Sequence, residues 1–146
     1  MSTFTRSALI SFLLLAMFLA LCEGHDIEPN SKVHVQITND LSPQGGANTS
    51  LNVHCKTQKK DLGGQVIPYK SHFQFVFSPS ILWGETRMAC DLEWSGPVHS
   101  IVAYQHRTAR TNKYCKEGLC LWEIRRNEGC LYNYELEHMD CFPYAA

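Results

Sequence analysis

Along most of this chain apolar residues recur at every second position, the spacing of strands that bury one face. In "VHVQIT", Val33, Val35 and Ile37 fall on one side, and His34, Gln36 and Thr38 on the other. "LNVHC" repeats the pattern with Leu51, Val53 and Cys55, and "HFQFVF" with Phe73, Phe75 and Phe77. The cleanest run sets Thr86, Met88, Cys90, Leu92 and Trp94 against Glu85, Arg87, Ala89, Asp91 and Glu93. "LCLWEI" places Cys120, Trp122 and Ile124 together, and "CLYNYEL" lines up Cys130, Tyr132 and Tyr134. "VHSIVAYQ" is apolar at both parities, which predicts a central strand covered on both faces. Turn-forming residues punctuate these runs at Asn39-Asp40, Pro43 to Gly46, Asp61 to Gly64, Ser78-Pro79-Ser80, Ser95-Gly96-Pro97, Glu117-Gly118 and Asn127 to Gly129. Short alternating strands at such intervals predict an all-β, single-domain antiparallel β-sandwich of about seven to eight strands. The sequence shows no repeat, low-complexity tract or interdomain linker.

The first residues follow a different rule. Arg6 precedes an apolar stretch from Leu9 to Cys22, and Cys22-Glu23-Gly24 has the small-x-small form of a signal peptidase site. This predicts a secretory signal peptide over 1–24 and a mature domain over 25–146. No later segment approaches the ~18 apolar residues of a membrane span, so stable membrane insertion is not expected. Without Arg6 and Glu23 the mature chain holds 12 basic and 13 acidic residues. Near-neutrality argues against a general nucleic-acid binder or an agent acting on anionic membranes.

Export changes the meaning of the cysteines. Removing Cys22 leaves six: Cys55, Cys90, Cys115, Cys120, Cys130 and Cys141. An even number in an oxidising compartment predicts a disulfide-stabilised domain, although spacing alone leaves the pairing open. If Glu117-Gly118 forms a two-residue hairpin turn, Cys115 and Cys120 become a directly opposed pair. His54-Cys55 looks like a catalytic couple, but neighbours on a strand point to opposite faces, so their side chains cannot meet. His34, His54 and His72 fall on outward faces with no metal-binding spacing, and neither metal nor cofactor is expected. His99, His106 and Arg107 are the residues a ribonuclease-like hydrolase would need to converge on a phosphate.

Two further features bear on function. Asn48-Thr49-Ser50 is an N-glycosylation triplet in a glycine-rich turn. Positive charge gathers in two predicted loops, one with Lys56, Lys59 and Lys60 before Asp61, the other with Arg107, Arg110, Lys113 and Lys116. Loops on a rigid scaffold are common recognition sites, which singles out Lys59, Lys60, Asp61, Arg107, Arg110 and Lys113 as candidate partner-binding residues.

The motifs "VHVQITNDL", "LNVHCKTQKKDLGGQVI", "HFQFVFS", "TRMACDLEW", "SIVAYQ" and "CKEGLCLWEI" followed by "NEG" together resemble the plant self-incompatibility S1 proteins, or S-protein homologues. The resemblance spans Val33 to Gly129. Its most specific parts are His-Cys followed by Asp-Leu-Gly, Cys90-x3-Trp94, and Cys115-x4-Cys120-x-Trp122. It implies a small secreted β-sandwich without a catalytic site that acts as an extracellular ligand for a cell-surface receptor protein. The founding members are stigma-side determinants that trigger rejection of self pollen. The family's four cysteines correspond to Cys55, Cys90, Cys115 and Cys120, and Cys130 and Cys141 are additions that could bridge the C-terminal strand. The competing functions are a secreted hydrolase and a defence protein acting on microbes.

Overall fold

The computed structural model describes residues 32–43, 48–79, 87–106 and 113–144. Among them, ten strands build two sheets. One sheet has the order β3 (Asp61–Ile67), β2 (Leu51–Thr57), β5 (Arg87–Glu93), β6 (His99–Gln105). The other runs β10 (His138–Pro143), β9 (Glu128–Asn133), β8 (Leu119–Ile124), β1 (Val33–Asn39), β4 (His72–Phe77), with the two-residue β7 (Cys115–Lys116) also pairing with β8. All pairs are antiparallel except β1 with β8.

The alternation predicts the buried faces well. Val33, Val35, Ile37, Leu51, Val53, Cys55, Met88, Cys90, Leu92, Cys120, Trp122 and Ile124 all belong to one core between the sheets. Four details depart from expectation, each for a physical reason. The strand number is ten rather than seven or eight, because β3, β7 and β10 carry too little apolar alternation to stand out. Asp61 to Gly64 is not a turn. The chain turns earlier, over Gln58–Lys60, and β3 runs through both glycines with a register shift opposite Cys55/Lys56 and a positive φ of 86° at Gly63. Phe73 shares its face with Phe75 and Phe77 but lies on edge strand β4, where it is 37% exposed and packs edge-on against Phe75. β6 is likewise an edge strand, not a central one. Its register passes from Val102↔Ala89 to Tyr104↔Met88, leaving Ala103 as an extra residue. The bulge reverses the parity, so Ile101, Ala103 and Tyr104 are all buried while Val102 faces out.

The cysteines pair as Cys55–Cys90, Cys115–Cys120 and Cys130–Cys141. Each pair is directly opposed in an antiparallel register. Every bridge therefore lies within a sheet and locks the register of two strands; none joins one sheet to the other. The hairpin expected at Glu117-Gly118 is present, with φ of 52° and 78° there, the left-handed pair suited to a two-residue turn. Tyr132 opposes Met139, and Cys130 opposes Glu123 on the outward side of β8–β9, so the third bridge covers the outer face of its sheet.

The sheets are joined by apolar packing and by two buried side-chain amide or indole groups. Trp122 donates its Nε1–H to the Ala103 carbonyl at 3.0 Å. Asn39, fully buried at the end of β1, donates Nδ2 hydrogens to the carbonyls of Thr49 and Ile67, both at 2.8 Å, and accepts from the Leu41 amide at 3.0 Å. One side chain thus satisfies three backbone groups from three segments. Removing it would strand buried donors and acceptors, each costing about 1–3 kcal/mol. Asn39→Ala is expected to lower unfolding free energy by about 2–4 kcal/mol in urea denaturation with the disulfides intact. Asn39→Asp is expected to be no milder, since a carboxylate would face two carbonyl oxygens. A loss within ~0.5 kcal/mol for both would contradict this role.

Candidate functional site

The β2–β3 turn is built by Thr57. Its backbone N–H donates to the Lys60 carbonyl at 2.8 Å, and its Oγ1 accepts from the amides of Lys59 and Lys60 at 3.3 and 3.0 Å. Lys59 and Lys60 are thereby held on the surface by a backbone arch, with no contact from their own side chains needed. Just beyond, the exposed Asp61 carboxylate accepts from the Gly63 amide at 2.7 Å and lies 2.7 Å from His54 Nε2. The Gly63 N–H, then His54, hold its pKa below the ordinary carboxylate range. His54 points outward while its neighbour Cys55 points inward to Cys90, as alternation requires. The couple is split by the strand, and Cys55 is a half-cystine.

The topology brings the lysine turn and Lys113 toward one end of the described structure. Thr57 opposes Met88, and Met88 opposes Tyr104, so the turn and the outgoing end of β6 lie in one row. Tyr104 meets Phe77 edge-on at 5.2 Å, which places the start of β1 and the end of β4 at that same end. Arg107 and Arg110 lie outside the described residues. Lys113 is placed, and it is engaged: its Nζ is 3.4 Å from Asp140 Oδ2 and sits over the Tyr114 ring at 4.8 Å.

Asp140 is the centre of a cluster that no sequence motif announced. It accepts from the Tyr114 hydroxyl at 2.8 Å and Asn133 Nδ2 at 2.9 Å, and its other oxygen lies 2.7 Å from His138 Nε2. The Tyr114 hydrogen bond, then Asn133 and Lys113, keep this carboxyl below its usual range. Residues from β9, β10 and the segment before β7 meet here, so only the folded chain reveals it. The cluster fastens Lys113 and Tyr114 onto the β9–β10 hairpin.

The hydrolase expectation needs His99 and His106 close together. They flank β6 at opposite ends, about 20 Å apart at the rise of an extended strand. His99 stacks on Trp94 and on Tyr144 at 4.7 and 4.6 Å, those two rings being 5.7 Å from each other, and His106 Nδ1 lies 3.1 Å from the Tyr104 hydroxyl. His34 and His72 sit on β1 and β4 and His54 on the other sheet, so these three do not converge. Among the described residues one group has metal-ligand chemistry, Glu128 with Cys130 and Cys141, and its two sulfurs are bonded to each other.

A sequence model of a known family, described as plant self-incompatibility protein S1, matches residues 34–144. The chain belongs to this family. Among its relatives in Arabidopsis thaliana, it is 33% identical to S-protein homolog 2 over 122 residues, 82% of this chain and 73% of the relative. It is 30% identical to S-protein homolog 18 over 136 residues, covering 92% and 90% of the two chains. S-protein homolog 20 is also 30% identical, with 94% and 95% covered. In this S1-family protein the matched stretch runs from β1 to the end of β10 and takes in all three bridges.

The lowered pKa of Asp140 has a pH consequence. A carboxyl whose folded-state pKa lies below its unfolded value of ~3.9 stabilises the fold above that value, and the contribution is lost as pH falls through the folded-state pKa. NMR titration of the Asp140 carboxyl is expected to give a midpoint below ~3.9, and Tyr114→Phe is expected to raise it. A midpoint unmoved by Tyr114→Phe would refute the assignment of the hydroxyl as the main cause.

Proposed function

We propose that this S1-family protein is exported and acts outside the cell as a protein ligand for a cell-surface receptor, with the Lys59–Lys60 turn as its contact. The observation that carries this reading is the turn itself. Two exposed ammonium groups stand on an arch closed by Thr57 and anchored, two residues before it, by the Cys55–Cys90 bridge. A rigid presentation lowers the ordering cost of binding, and positive charge speeds encounter with an acidic partner surface. Export is supported by the apolar leader ending at Cys22-Glu23-Gly24 and by the pairing of all six remaining cysteines. Family membership supports the ligand role, since self-incompatibility names a recognition process between cells. The partner chemistry is an acidic protein surface; Asp61 beside the lysines supplies a single acceptor that would set its orientation. No nucleic acid or cofactor enters this reading.

Lys59→Glu with Lys60→Glu is expected to leave thermal unfolding nearly unchanged and to weaken binding to cell-surface extracts by about tenfold or more, which is ~1.4 kcal/mol. Thr57→Val keeps every charge but removes the hydroxyl that holds the turn, and is expected to weaken binding to a lesser degree. Surface binding indifferent to the double charge reversal would place the contact elsewhere.

A further inference from the structure

The two ends of the four-stranded sheet differ in character. β2 runs from Leu51 to Thr57, so the lysine turn and the Asn48-Thr49-Ser50 triplet stand at opposite ends of one strand, about 20 Å apart. Asn48 and Ser50 are exposed, whereas the backbone between them is held. The Thr49 carbonyl accepts from Asn39, and its Oγ1 lies 3.2 Å from Arg126 Nη2, while the same guanidinium donates through Nε to the Ser42 carbonyl at 2.7 Å. The Asn39 amide that holds Thr49 also holds Ile67, so the triplet is fixed beside the end of β3. There the outer face carries Val66 and Val98, 65% and 58% exposed, on a shallow concavity of about 380 Å³ shared with Asn52 and Glu93. Val66 is the most open large apolar side chain among the described residues, and Val98 shares its concavity.

We infer that Asn48 carries the protein's single N-linked glycan, which covers the Val66–Val98 end of the sheet and leaves the lysine turn free. The triplet occurs once in the whole sequence. In the reaction the Asn48 side-chain nitrogen attacks C1 of an oligosaccharide carried on a lipid pyrophosphate. A C–N bond forms, the C1–O bond to pyrophosphate breaks, the amide loses a proton and the lipid pyrophosphate leaves with the bonding pair. The inference rests on the export proposed above, because that donor is met only on the secretory route.

The test is to express the full chain in plant cells and analyse protein from the culture medium by mass spectrometry. The expected result is one oligosaccharide per chain, released by an amidase that leaves aspartate in place of Asn48. Asn48→Gln and Ser50→Ala should each abolish it, and Ser50→Thr should keep it. The glycosylated protein should bind less of a hydrophobic dye than Asn48→Gln, with surface binding through the lysine turn unchanged. Protein found in the medium with no sugar would overturn the glycan while leaving export intact; protein retained with its leader uncleaved would overturn both. Equal dye binding with and without the sugar would overturn the covering role.

Discussion

Strand register is the constraint on which this molecule depends. A side-chain period of two means that a slip of one residue would turn every core side chain to solvent. Three sulfur bridges between directly opposed residues forbid that slip in β2–β5, β7–β8 and β9–β10. Each is expected to add ~2–4 kcal/mol by restricting the unfolded chain, and each also keeps the neighbouring loop in place. The Cys55–Cys90 bond is the clearest case: it is buried in mid-sheet, and the lysine turn begins two residues beyond Cys55.

Since no bridge crosses between the sheets, their mutual position is left to packing and to a few buried polar groups. Asn39 and Trp122 do for the sandwich what sulfur does for each sheet, and they do it by satisfying backbone groups that would otherwise be buried without partners. Around the same end of β1, Arg125 reaches Glu123 at 2.9 Å and Asp40 at 3.5 Å, and Asp40 also pairs with Lys70. The ion pairs are largely solvated and worth little individually, so the buried amide dominates this junction. The outcome is a scaffold with one end carrying the lysine turn and the other the Asn48 triplet.

The two histidines that could have served a hydrolase are separated by the length of a strand, and His99 is stacked on aromatic rings. Among the described residues, the surface at the end of the lysine turn carries that turn, held by its own backbone, and a polar cluster at Asp140 that fastens Lys113 and Tyr114 to the last hairpin. Local spacing could announce the first of these. The second joins residues 113, 114, 133, 138 and 140, whose meeting is a product of two strands and the segment before β7, and no motif encodes it.

By itself the sequence determined the all-β class, the inward faces of β1, β2, β5 and β8, the hairpin at Glu117-Gly118 and the family, since alternation, turn chemistry and cysteine spacing are all local. Its reading failed where local pattern is ambiguous: a bulge at Ala103 mimicked a central strand, and glycines inside β3 mimicked a turn. Only the tertiary structure decided which cysteines pair, that core packing with Asn39 and Trp122 rather than sulfur joins the sheets, and which charged groups share an end. Those outcomes depend on which strands lie side by side, and contacts between distant segments leave no periodic trace in the order of residues.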